Sequence, residues 1–236
     1  MSRIKYIKYI FHWNELYIPY NQIKNELIKQ YLAEFKYFIY KTISNELNFI
    51  DNKYTISIGL GDFPNFCWEP VCKEFIVVVT NQDTSKEHHF MELSSSLIYY
   101  FYPDYYKDSI LKYPFVADIF TASTCLKLLS MYGMISYYDS IYTQNISVLN
   151  NINPHIIYNK HGRKASRFGR WNYSNHNLLY LADLSYKIGT IIQERLPLKD
   201  ILMMGKFNTI EDWINYLQID DRLFVRLLLS QEHIKY

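Results

Sequence analysis

The side chains in this sequence that could do chemistry fall into one basic segment and several thinner groups. Between Asp139 and Asp183 there is no acid, while Lys160, Arg163, Lys164, Arg167 and Arg170 contribute five positive charges. The whole chain carries +2, which leaves −3 for the remainder, so the positive charge is local. Residues 160–171 read Lys-His-Gly-Arg-Lys-Ala-Ser-Arg-Phe-Gly-Arg-Trp, which sets Phe168 and Trp171 among the arginines and adds two glycines. Guanidinium forks grip phosphate oxygens in pairs and aromatic rings stack on unpaired bases, so this pattern has the chemistry of an RNA-binding loop. The same residues also fit a loop that docks on an acidic protein, or one that is simply solvated.

Cys67 and Cys72, followed by His88 and His89, are the residue types of a zinc site. Their spacing is wrong for a tight knuckle, and adjacent histidines on a strand point to opposite faces, so buried thiols and surface histidines are expected instead. Gly59 and Gly61, in Ile-Gly-Leu-Gly-Asp-Phe, are followed by Pro64, Trp68 and Pro70. A phosphate cradle leads directly into a helix, so a tight turn is expected here. Ser94, Ser95 and Ser96 lack the glycine elbow of a nucleophilic serine, and Cys125 falls on an apolar helical face. The acid pairs Glu211–Asp212 and Asp220–Asp221 sit at helix starts, where they offset the dipole. These readings imply no catalytic residue, no metal and no cofactor.

Periodicity and turn residues outline the elements that carry these side chains. Residues 4–10 predict a short strand. From Asn21, as N-cap, apolar residues at Ile23, Leu27, Tyr31, Phe35, Phe38, Ile39, Ile43 and Leu47 predict a long amphipathic helix. Residues 53–60 alternate as a half-buried strand does, and 75–80 form the continuous β-branched run of a central strand, with a loop over 59–70 between them. Residues 88–101 are ambiguous, their aromatic end favouring strand. Pro103 and Pro114 bracket a short helix, and a second helix over 116–132 stops at Gly133. A hairpin-like pair is expected over 134–148. Helices are expected over 178–195, from Asn208 (with Glu211 as capping-box partner) to 217, and over 220–233. The fold class is therefore α/β of the α+β kind: a mixed sheet in the N-terminal two-thirds with a mainly helical C-terminal third. No linker enforces a boundary, so residues 1–236 read as a single compact domain with a seam at 150–177.

Composition sets the setting. Apolar residues make up 49% and charged residues 20%, which places the chain among globular proteins and away from disordered ones. Every apolar stretch is interrupted short of a membrane span; the best, residues 113–138, contains Asp118 and Lys127. The first 20 residues lack the apolar core of a secretory signal and read as an ordinary first element or a mitochondrial presequence. Three cysteines form no disulfide framework, so a reducing compartment is expected.

Tyr occurs 24 times, Phe 14 and Ile 29, against 7 Gly, 7 Pro and 5 Ala. That skew toward AT-rich codons resembles proteins encoded by ciliate-type mitochondrial genomes, and also those of AT-rich phages, large DNA viruses, endosymbionts and linear plasmids. Residues 123–138, Ser-Thr-Cys-Leu-Lys-Leu-Leu-Ser-Met-Tyr-Gly-Met-Ile-Ser-Tyr-Tyr, resemble the helix, glycine and strand of the bacterial-type small-subunit ribosomal protein S-eight family. The likeness covers about sixteen residues; the Gly-Arg-Lys of 162–164 echoes that family's basic loop, and its Ser/Thr-rich closing segment is missing. These features lead to an expected non-enzymatic structural subunit of a mitochondrial ribosome in the matrix, with RNA and neighbouring protein subunits as partners. The alternatives are a viral or phage protein acting by protein contacts, in the cytoplasm or virion, and an enzyme whose site converges only in three dimensions.

Overall fold

The computed structural model describes residues 17–49, 54–62, 64–69, 71–81, 85–103, 109–134 and 175–231. The class is α+β, with one mixed four-stranded sheet and a helical C-terminal region. The chain divides into two compact units, 1–101 and 102–236. The expected strand over 4–10, the hairpin over 134–148 and nearly all of the seam at 150–177 lie outside the described residues. No helix among those described is long and apolar enough to cross a membrane.

The first unit opens with β1 (Tyr17–Pro19), a 3-10 turn (Tyr20–Gln22) and α1 (Glu26–Leu47). The cap of α1 is Asn25 and not Asn21: its Oδ1 accepts from the amides of Leu27 (3.1 Å) and Ile28 (3.2 Å). At the other end Asn48 takes the left-handed conformation (φ 47°) that closes the last turn. Tyr31, Leu32, Phe35, Ile39 and Ile43 form the buried stripe.

The sheet follows as β2 (Thr55–Gly61), β3 (Asn65–Glu69) and β4 (Glu74–Thr80), in the order β1-β2-β4-β3. β4 runs parallel to β2 and antiparallel to β3, so it inserts between two strands that precede it in sequence. β3 lies inside the stretch expected to be loop. Gly59 and Gly61 sit within β2, opposite Pro19 and Tyr17, so they belong to a strand and not to a tight turn. The register places Ile56, Phe75 and Trp68 side by side on one face, and Ile58, Val77 and Phe66 beside them. Aromatic rings fill that face: Trp68 stacks on Tyr100 at 5.7 Å and Phe66 on Tyr99 at 5.0 Å, while the Tyr100 hydroxyl donates to the Tyr54 carbonyl (3.0 Å).

Residues expected to lean toward strand are instead α2 (Lys86–Leu97) and a 3-10 turn (Ile98–Phe101). Ser85 caps the helix by accepting from the His88 amide (3.2 Å), and Phe90, Leu93 and Leu97 recur at helical spacing on its core side.

The second unit holds a 3-10 turn (Ile110–Lys112), α3 (Pro114–Tyr132), α4 (Asn175–Arg195), α5 (Leu198–Met203), α6 (Ile210–Tyr216) and α7 (Ile219–Gln231). Gly133 ends α3 at φ 88°, as expected of a C-terminal glycine. The cap of α6 is Thr209, one residue beyond Asn208, and its partner three residues on is Asp212: the Asp212 amide donates to Thr209 Oγ1 (3.1 Å), which donates to Asp212 Oδ2 (2.6 Å). α3 and α4 approach so closely that a Cβ on Gly189 would lie 2.7 Å from Ala122 Cβ. In α7, Val225, Leu228 and Leu229 are buried, while Ile219, Leu223 and Leu227 are 70%, 56% and 62% exposed at a spacing of four residues.

Candidate functional site

Two groups of polar side chains in the first unit have the geometry of sites. The first lies where β4 ends and α2 begins. Adjacent residues on a helix diverge by about 100°, so His88 turns outward and His89 inward. His89 is buried, and its Nε2–H donates to the Thr80 carbonyl (2.9 Å). A carbonyl only accepts, so the proton is on Nε2 and Nδ1 is left to accept from the Tyr31 hydroxyl (2.5 Å). Burial lowers the pKa of His89 and keeps it neutral. His88 meets Glu92 Oε1 at 3.0 Å, and the Glu92 carboxylate also accepts from the Thr80 amide at 2.7 Å through Oε2. The hydrogen bond to Glu92 raises the pKa of His88 against a smaller opposing effect of burial.

This network ties α1, the end of β4 and the first turn of α2. Its imidazoles and carboxylate are engaged with one another and with main chain, the arrangement of a polar clamp. A general base would instead face an open site. The sequence expectation for these histidines is corrected on two points: they lie on a helix, and His89 is a core residue. The cysteines are corrected as well. Cys67 is half-buried in β3 and Cys72 is exposed in the turn after it, with Cys125 buried in α3. Burial, together with Glu69 and Glu74, raises the Cys67 thiol to about 11. No three His, Cys, Asp or Glu side chains among the described residues gather as a metal site.

The second group lines a groove of about 800 Å³ between α1, the end of β1 and the outer edge of β2. Lys36 Nζ donates to the Ile56 carbonyl at 2.8 Å, and burial lowers its pKa. Glu74 accepts from the Ser57 hydroxyl on the sheet side, and Tyr37, Tyr40 and Tyr54 supply ring surface. A cleft of this size with few convergent polar groups is the usual form of a binding site. Sequence reading misses Lys36 because it stands one residue beyond Phe35 of the buried stripe, where a lysine ordinarily snorkels to water.

Among the other sequence candidates, the described serines and acids serve helix and ion-pair contacts. Ser94 and Ser95 are buried in α2 and return their hydroxyls to the carbonyls of Met91 (3.1 Å) and Glu92 (2.9 Å). Asp221, at the start of α7, accepts from Arg195 Nε at 2.8 Å, and Glu211 pairs with Arg226. Lys160, Arg163, Lys164, Arg167, Phe168, Arg170 and Trp171 all lie outside the described residues, as does the strand half of the stretch that resembles the S-eight family. No protein-family model, no curated protein and no solved structure matches this chain.

Proposed function

We propose that this chain is a non-enzymatic subunit of a large ribonucleoprotein, a mitochondrial ribosome, and that it holds RNA through residues 160–171. The observation that carries this reading is the acid-free interval from Asp139 to Asp183, in which Lys160, Arg163, Lys164, Arg167 and Arg170 surround Phe168 and Trp171. Charge of one sign concentrated in a chain whose remainder is acidic favours contact with a polyanion at that place. The interleaved rings add a means of holding unpaired bases. Neighbouring protein subunits are supported by α7, whose exposed Ile219, Leu223 and Leu227 form an apolar stripe of the kind that assemblies cover.

The test is a salt titration of RNA affinity with single-stranded and hairpin RNAs. Replacing Arg163, Lys164, Arg167 and Arg170 with Gln removes four phosphate contacts. It lowers the slope of log K against log salt by about 3, at ~0.7 per contact on a single strand. Phe168→Ala or Trp171→Ala weakens binding by ~1–3 kcal/mol for each stacked base with the slope unchanged. Equal affinity and equal slope in the fourfold variant and the parent chain overturn the proposal.

A further inference from the structure

β2 is paired along its whole length with β4, but among the described residues its other edge is covered by a strand at Gly59–Gly61 alone, where β1 lies. The Thr55 amide donates to the Lys73 carbonyl (2.8 Å) and the Asn81 amide to the Gly61 carbonyl (2.7 Å), so the odd-numbered residues of β2 aim their main-chain groups toward β4. Main-chain groups alternate in direction along a strand. Ile56 therefore aims at the opposite edge, and there its carbonyl meets Lys36 Nζ, a side-chain donor in the place of a strand amide. β1 stops where Tyr20 enters a 3-10 turn. The groove beyond it is walled by Ala33, Tyr37 and Tyr40, spaced along one face of α1. Floor, wall and length are those of a strand that β1 does not supply.

The geometry points to this half-edge as a strand-addition site: an extended segment of a partner protein, with an acidic side chain facing Lys36, pairs with β2 along residues 55–58. Charge decides the occupant. Lys36 is half-buried, with three ammonium donors and a single carbonyl acceptor, and no carboxylate of the described residues pairs with it. An incoming amide takes over the Ile56 carbonyl and releases the ammonium, which then needs an anion close by. A second copy of this edge would set Lys36 against Lys36, so the chain does not pair with itself here. Glu74, engaged by Ser57 on the sheet side of the groove, confines the partner's acid to the Lys36 position. Lysine at an open edge is also a guard against indiscriminate pairing, which makes the acid the element that admits a partner. The inference goes beyond the RNA reading and is independent of residues 160–171.

The test uses the full chain and a synthetic probe, Ac-Thr-Val-Glu-Val-Thr-Val-NH2, at millimolar concentration. Its two controls carry Gln for Glu, or Pro for the central Val. Within residues 55–58, hydrogen exchange is expected to slow at the Ile56 and Ile58 amides, which face the open edge, with the Glu probe, and the Gln probe binds about tenfold more weakly. The Pro probe gives no protection. Lys36→Met abolishes the Glu/Gln preference while the Gln probe still protects residues 55–58, and Lys36→Arg keeps the preference. Exchange of the α1 amides without probe checks that each variant is folded. The inference is overturned by the absence of protection at 55–58, by protection from the Pro probe, or by a Glu/Gln preference that survives Lys36→Met. Binding of the probe to the tyrosine wall without slowing of the β2 amides overturns it as well.

Discussion

His88 and His89 are neighbours in sequence that respond to pH in opposite senses. The ordinary histidine value is 6.5; Glu92 raises His88 above it, and burial lowers His89 below it. A raised folded value means that the His88–Glu92 pair contributes its stability fully below about pH 6.5 and loses it as pH rises through the folded value. A lowered folded value means the reverse for His89: stability is kept above about pH 6.5 and lost as the pH falls from there toward the folded value. In melting curves from pH 5 to 8, His89→Gln should flatten the acid-side loss of Tm and His88→Gln should steepen it. Parallel shifts in both variants would remove the assignment. The thiols separate just as clearly. With Cys67 raised to about 11 and half-buried, Cys125 buried and Cys72 exposed, iodoacetamide at pH 8 should label Cys72 in the native chain and reach the other two after unfolding, as read by mass spectrometry.

At the scale of elements, close approach and capping carry the testable energetics. A Cβ on Gly189 would meet Ala122 Cβ at 2.7 Å and the Ser123 amide nitrogen at 2.9 Å, both on the facing helix, so α3 and α4 must part to admit it. Gly189→Ala is expected to lose ~1–3 kcal/mol in urea unfolding, against the gain that alanine brings to an open helix site. Thr209→Ala removes both halves of the α6 capping box and should cost ~1 kcal/mol. Capped and punctuated elements were legible in the sequence: α3, expected over 116–132, starts at Pro114 and stops at Gly133 as read, α6 is capped one residue later than expected, and α1 starts at Glu26, which leaves Ile23 ahead of the helix and Leu27 exposed. β3 was hidden because its five residues stand between Pro64 and Pro70 and gain their strand character from Val77 and Phe75 across the ladder. α2 was hidden because aromatic residues follow it, although Phe90, Leu93 and Leu97 keep a helical spacing. The groove could not be read at all, since it exists where β1 stops beside β2, and that is a fact of pairing between distant residues.

For the whole molecule, the distribution of charge is the feature with functional reach. In the first unit aromatic rings pack on one another, as Phe66, Trp68, Phe75, Tyr99 and Tyr100 do. Between Asp139 and Asp183 five cations stand in an interval that holds no acid. The proposed hold on RNA at residues 160–171 is tested by ultraviolet crosslinking of the full chain to RNA, with the attachment sites mapped by mass spectrometry. Adducts are expected within 160–171, at Phe168 and Trp171 above all, and are expected to fade as salt is raised. Adducts confined to other parts of the chain, or none at low salt, would contradict it.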